Sequence, residues 1–304
     1  RRIRRTVNGT EATTYIWDKA DRLIGMTYAG QTTSYAYDAA GRLITKTLPN
    51  GIKQTHSFDN ASRLLSIAYA QPDATVIEVI SYEYDANGRR TSKTSSSNST
   101  AQETGFTASY DAADRMTAVT LKGTGVGGAD ETCTLNYDNN GNLVTTSCGV
   151  NVTTYTWDAQ NRLTGIGGPG VSASFGYDAL GRRVTRTLNG VTTSYVYDGA
   201  QAIAETKAGI NATLLTGLQI DEAIGRYASP GNRTLLTDAL GSVIAEAKDD
   251  RSIATRREYT PYGQSVAIGE ASANDSQYTA REDDGLGLYF YRARYYDAQL
   301  KRLI

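Results

Sequence analysis

Residues 155–198 read YTWDAQNRLTGIGGPGVSASFGYDALGRRVTRTLNGVTTSYVYD, with an aromatic-Asp pair at Trp157-Asp158, Tyr177-Asp178 and Tyr197-Asp198, 20 residues apart. Working outward, the same unit appears as W-D-K-A-D-R-L from Trp17, Y-D-A-A-G-R-L from Tyr37 and F-D-N-A-S-R-L from Phe58. It continues as Y-D-A-N-G-R-R from Tyr84, Y-D-A-A-D-R-M from Tyr110 and Y-D-N-N-G-N-L from Tyr137. The aspartates stand at 18, 38, 59, 85, 111, 138, 158, 178 and 198, so the steps are 20, 21, 26, 26, 27, 20, 20 and 20. This is a tandem repeat with Gly- and Ser-rich loop insertions at residues 91–99 and 123–128.

A second turn falls halfway between aromatic-Asp pairs, where Asn8-Gly9, Asn50-Gly51 and Asn189-Gly190 offer the positive-φ residues of a two-residue hairpin loop. Each repeat is therefore a β-hairpin. Between turns the pattern has period two: Tyr15 with Trp17, Tyr35 with Tyr37, Tyr82 with Tyr84, Tyr155 with Trp157 and Tyr195 with Tyr197 share a strand face. Thr, Ser, Ala and Val occupy the other face. Residues 223–244 and 267–277 are irregular and leave room for a short helix.

Composition agrees with an all-β chain. Among 304 residues there are 21 Tyr against 4 Phe, and 30 Gly but 5 Pro, which suits half-exposed strands joined by tight turns. The 31 Lys and Arg nearly balance 32 Asp and Glu, which argues against a nucleic-acid binder. One His and two Cys leave no material for a His-based triad or a zinc cluster, and no apolar run reaches membrane-helix length.

Two strands per repeat give about 25 to 30 strands and, at about 4.8 Å each, a ribbon of roughly 130 Å. Twist makes such a ribbon curl, so the expected fold is a long spiralling antiparallel sheet of repeated β-hairpins. The repeated Tyr-Asp and Gly-Arg positions read as fold-specifying rather than as a row of binding sites. Asp18, Asp38, Asp85, Asp138, Asp158 and Asp178 each begin a turn and accept from backbone N–H groups two or three residues on. Gly41, Gly88 and Gly181 take positive φ. Trp17, Tyr37, Tyr84, Tyr137, Trp157 and Tyr177 are expected to stack in ring ladders, with Arg42, Arg89 and Arg182 lying across a ring or pairing with Asp.

Cys133 and Cys148 flank the Asn140-Gly141 turn. If that pair is a two-residue loop, opposed residues sum to 281 and the thiols face each other within disulfide reach; a turn at Asn139-Asn140 shifts the sum to 279 and separates them. The alternative is two small apolar side chains packed side by side. His56 occupies the aromatic position two residues before Phe58 and reads as a Tyr substitute. Asp138–Asn142 lacks the glycine spacing of a calcium loop, so no metal or cofactor is expected. Sequons at Asn8, Asn98, Asn151, Asn211 and Asn232 are ordinary for a Thr-rich β protein. Residues 1–9 align with residues 182–190, so the sequence reads as a piece of a longer polypeptide.

Y-D-A-A-G-R-L and Y-D-A-L-G-R-R resemble the tyrosine-aspartate, or Rhs, repeat family. The end of the chain, REDDGLGLYFYRARYYDAQLKRLI from Arg281 to Ile304, is similar to the signature closing the Rhs core. Arg281, Asp284, Gly287, Tyr289, Tyr291, Arg294, Tyr295, Tyr296 and Asp297 carry that likeness, while Ala298, Lys301 and Leu303 stand where the family has Pro, Gly and Phe. The resemblance implies regular repeats over residues 1–200, a less regular β segment over 201–280 and the core signature over 281–304, in one continuous domain truncated at both ends.

It further implies a non-enzymatic wall of a shell that encloses a C-terminal toxin, in a bacterial protein that is secreted or on the cell surface. Its partners would be the upstream shell and downstream toxin of its own parent chain, together with secretion machinery, and neither nucleic acid nor a membrane span. The family cuts itself at an Asp-Pro motif using carboxylates, but no Asp-Pro occurs here, and the resemblance supplies no catalytic partner for Arg294 or Asp297. Two readings of other classes remain: an adhesion module whose Trp17 and Trp157 stack on cell-surface glycans, and a polymer built by sheet augmentation.

Overall fold

The computed structural model describes residues 1–7, 11–97, 105–124, 128–229, 231–285 and 287–304, with only the backbone of Glu11 and Ala12. The expected Asn8-Gly9 turn, the sequons at Asn8 and Asn98, and parts of both Gly- and Ser-rich insertions lie outside these residues. Among the described residues there are twenty-nine strands, and no helix is long and apolar enough to cross a membrane. The irregular window at 223–244 forms strands Ala223–Ala228 and Arg233–Thr237 and the start of Val243–Ala247. Just past the window at 267–277 is a single 3-10 turn, Tyr278–Ala280.

The chain forms two compact units, each discontinuous in sequence: Arg1–Thr100 with Leu215–Arg257 and Ala267–Ser272, and Ala101–Leu214 with Glu258–Val266 and Ala273–Ile304. In the first, nine strands from Arg4–Val7 to Arg90–Ser95 pair antiparallel in chain order. The period-two pattern turns Tyr15, Met26, Tyr35, Ile67, Tyr69, Ile80 and Tyr82 to one face, where they pack with Leu215, Ile224, Tyr227, Leu236, Ala245 and Ala247. Thr32, Ser34 and Ala36 between them are exposed. The aromatic face is thus the buried one.

In the second unit, ten strands from Phe106–Tyr110 to Gln201–Lys207 pair in the same chain-order fashion. A separate antiparallel sheet of short strands, Glu282–Asp283, Leu288–Phe290, Tyr295–Asp297 and Arg302–Leu303, contains the core signature. Its Leu288, Phe290 and Tyr295 pack with Ile166, Val171 and Phe175. Leu300 joins Met116, Val119, Leu121, Leu135 and Leu143.

The two kinds of turn differ in build. Asn189 and Gly190, at φ 47° and 84°, form a two-residue loop closed by the Leu188–Val191 pair. Asn50-Gly51 does not, contrary to its sequence reading: Gly51 N–H donates to Leu48 O and Leu48 N–H to Ile52 O. Pro49 is the cause, because its fixed φ sets the first central position of an ordinary turn and pushes positive φ onto Gly51 alone, at 88°. The aspartate turns share that build: Gly41 N–H donates to Asp38 O and Asp38 N–H to Arg42 O. Where no glycine stands in this slot, Asp21, Ser62, Asp114 and Asn161 take positive φ instead.

Register slips by one residue just before the signature aromatic, as at Ile16/Trp17, Ala36/Tyr37, Asn136/Tyr137 and Gly176/Tyr177, a recurrent bulge. This decides the cysteine pairing. The Asp138–Asn142 turn is not a two-residue loop, since Gly141 N–H donates to Asp138 O and Asp138 N–H to Asn142 O. Turn and bulge together nevertheless place Cys133 opposite Cys148, where the two are joined as a disulfide with Cα atoms 4.1 Å apart.

Candidate functional site

Each repeat is locked from its own turn outward. Asp38 Oδ1 accepts from the backbone N–H of Arg42 at 2.9 Å, and its Oδ2 accepts from Arg42 Nε at 2.7 Å. Asp18, Asp59, Asp85, Asp111, Asp158 and Asp178 repeat this reach to the residue four ahead, and also accept from the N–H two ahead. The acceptor reach is therefore two and four residues, not two and three. In Asp138 the same oxygens take Asn140, Asn142 and the Asn142 amide. The Arg42 backbone N–H, followed by its side chain, lowers the Asp38 pKa, and Asp59 and Asp85 shift likewise.

Successive repeats are joined differently from the expected ring ladder. The signature aromatic donates to a backbone carbonyl of the preceding repeat: Tyr37 Oη to Leu23 O, Trp157 Nε1 to Leu143 O, Tyr177 Oη to Leu163 O and Tyr197 Oη to Arg183 O, at 2.7–2.8 Å. Its ring is covered by the preceding arginine: Arg22 lies 5.0 Å from the Tyr37 centroid, Arg42 5.0 Å from Phe58 and Arg162 4.8 Å from Tyr177. A guanidinium already fixed by its aspartate covers the ring better than a second ring at strand spacing, because it also bonds its own turn. His56 sits on the same inner face and stacks on Phe58 at 6.4 Å. Burial, helped by the Lys46 charge, lowers its pKa to about 4, so it is neutral near pH 7.

The core signature is held by a buried ion cluster. Asp284, 1% exposed, pairs with the fully buried Arg183 and, at 3.0 Å, with Arg186. Arg186 also bonds Asp275, which takes Lys207 at 2.8 Å. The Arg183 guanidinium lies over Phe290 at 4.0 Å and near Phe175, Tyr195 and Tyr295. Tyr295 Oη is 3.1 Å from Tyr177 Oη and 3.3 Å from Arg183 Nη1. Burial raises the pKa values of Glu282 and Asp283 beside this cluster.

The remaining signature residues do local work. Tyr289 and Tyr296 donate to the carbonyls of Gly263 and Tyr262. Arg281 covers the Tyr291 ring at 5.0 Å, and Arg294 is exposed. Asp297 accepts from the N–H groups of Gln299 and Leu300 at 2.8 Å, a turn role like that of the repeat aspartates. Burial raises its pKa to about 6 against those two bonds. The departures from the family pattern fit: Ala298 donates its N–H to Gly287 O, which Pro could not do, and Lys301 takes positive φ at 57°.

Sequence reasoning missed the buried cations. A signal existed, because Arg183 stands in the slot after the repeat arginine, which holds buried Leu23, Met116, Leu143 and Leu163 elsewhere. A charge in an apolar slot requires a carboxylate partner. The first unit uses the same device: Lys46 pairs with Glu222 at 2.7 Å, Arg256 with Glu78 at 2.9 Å, and Arg257 with Glu246. Burial alone would raise the Glu78 pKa, but the hydroxyls of Ser95, Ser97 and Ser96 bring it below the usual value.

Chain-order sheets of Tyr-Asp hairpins, with a short C-terminal sheet clasped within the second unit through Arg183 and Asp284, define the class of fold. The family model Teneurin YD-shell matches residues 53–300, and RHS Repeat matches residues 17–53. The chain belongs to the YD-shell family. Among solved structures, a TcdB2-TccC3-Cdc42 crystal structure superposes at a TM-score of 0.67 with 18% identity, over 96% of this chain and 19% of that one. The Photorhabdus luminescens Tc holotoxin pore with a mutated TccC3 gives 0.67 and 18%, over 99% and 19%. This chain thus spans about a fifth of those chains. No curated protein matches.

Proposed function

We propose that this chain is a non-enzymatic section of a shell wall that encloses a toxin domain following it, in a bacterial protein that is secreted or carried on the cell surface. The observation that carries the reading is the fold likeness over 96% of the chain to a TcdB2-TccC3 assembly. Its chemistry is in keeping with a wall. The signature rings Tyr37, Tyr84, Tyr137, Trp157, Tyr177 and Tyr197 are partly buried and spend their hydrogen-bond donors on backbone carbonyls. Trp17 and Trp157 are half-buried, with Nε1 tied to Arg2 O and Leu143 O, which leaves them poor platforms for glycan stacking.

Limited proteolysis of the complete parent protein tests the proposal. A domain after Ile304 is expected to survive while the wall is native and to be digested once the wall is unfolded. Digestion of that domain in the native parent at the rate of the isolated domain overturns the enclosure.

A further inference from the structure

The rung occupied by Cys133 recurs through the repeats, four residues before the signature aromatic. There stand Thr13, Ala173 and Thr193, all buried, paired across the hairpin with Tyr28, Leu188 and Lys207. The fold therefore closes this rung repeatedly without a covalent bond. At Cys133–Cys148 alone it is bonded, with both residues in the cluster that seats Leu300 and Ile304 of the C-terminal sheet. Cys133 is 2% exposed and Cys148 is only half-buried, so Cys148 is the less shielded residue of the pair.

We propose that Cys133–Cys148 is a thiol-exchange site, reduced by a low-molecular-weight thiol of the glutathione class, and that its reduction loosens the seat of residues 295–304. Attack is assigned to Cys148 because it is the less buried residue of the pair. The thiolate attacks Cys148 Sγ, a mixed disulfide forms, the Sγ–Sγ bond breaks, and Cys133 leaves as a thiolate that takes a proton. A second small thiol attacks the mixed disulfide and releases Cys148. Two protein thiols result, and two small thiols are oxidised to their disulfide. The freed sulfurs need van der Waals separation inside the cluster that also holds Leu300 and Ile304, so its packing loosens. This inference goes beyond the enclosure and holds whatever the wall surrounds.

The test is carried out on the native chain by thiol alkylation with mass spectrometry, followed by hydrogen exchange. Untreated protein is expected to carry no alkylatable cysteine, and protein treated with reduced glutathione to be alkylated at both. Exchange in residues 295–304 should then rise at least about tenfold, while residues 64–84 of the first unit stay unchanged. The double variant Cys133→Ala with Cys148→Leu rebuilds the Ala173–Leu188 rung and should keep residues 295–304 protected, with or without glutathione. Two free thiols in untreated protein, resistance to glutathione without denaturant, or unchanged exchange in 295–304 after reduction would each overturn the proposal.

Discussion

Asp38 and Asp284 both face arginines, and the difference between them separates how the repeat sheet is written from how the C-terminal sheet is fastened. Asp38 meets Arg42 four residues ahead, with 21% and 32% of their side chains exposed. Asp284 meets Arg183, 101 residues earlier in the chain, with 1% and 0% exposed. The first pair works through geometry: its carboxylate gathers the N–H groups of a turn and aims a guanidinium at the next ring. Its Coulombic worth is small because water screens it. The second pair is shut away from water, so Arg183 depends on Asp284, and Asp284 on Arg183 and Arg186, to avoid an uncompensated buried charge.

Arg183→Ala or Asp284→Ala should therefore cause the largest loss, about 3–5 kcal/mol, concentrated in the second unit and read by denaturant unfolding with tyrosine-based probes. A loss confined to the level of a surface substitution would dissolve the contrast. Arg183→Leu restores the apolar slot of the other repeats but leaves the buried Asp284 with Arg186 as its guanidinium partner, and should not restore the original stability.

An intermediate effect is expected at Asp297, and it depends on pH. Its native pKa of about 6 lies above the unfolded value near 4, so the folded state holds the proton more tightly. Its stabilising contribution is complete below about pH 4 and is lost as pH rises through 6. Two pKa units correspond to about 3 kcal/mol at most. Asp297→Asn keeps the acceptor for Gln299 and Leu300 and should flatten the stability profile between pH 4 and 7. An unchanged profile would remove the titrating group from the explanation. The lowered repeat aspartates act in the opposite sense, with stability present above their unfolded pKa and lost as the solution is acidified through the native one.

The smallest effect belongs to Arg42→Ala. It removes one guanidinium from one exposed turn and from the Phe58 ring, while Asp38 keeps its backbone partners. Its unfolding midpoint should move by only a small fraction of the Arg183→Ala shift. Hydrogen exchange in Thr45–Phe58 amides would reveal any larger local role.

The repeats were legible because everything that defines them is close in sequence. Tyr-Asp, the positive-φ slot and the arginine four residues after Asp are local, and period two declares which face is aromatic. The error at Asn50-Gly51 was also local, with Pro49 overriding the dipeptide. The arginine was equally legible: Arg42 and Arg182 pair with their own aspartates and also lie over the next ring, the place where ring stacking was expected. What sequence could not supply was the pairing of Arg183 with Asp284, Lys46 with Glu222 or Glu78 with Arg256. Such partners are set by how a later segment returns to the sheet, and no periodicity encodes that return. The core signature was recognisable by its residues, but the use of Asp284 as a clasp and Asp297 as a turn acceptor required the register of the short sheet.

The most direct test is a pair of double-mutant cycles, Arg183→Ala with Asp284→Ala and Arg42→Ala with Asp38→Ala, measured by denaturant unfolding under the same conditions. The buried cycle should show a coupling of several kcal/mol, and the turn cycle no more than about a third of it. Equal couplings in the two cycles would contradict the division between a locally written repeat sheet and a long-range clasp.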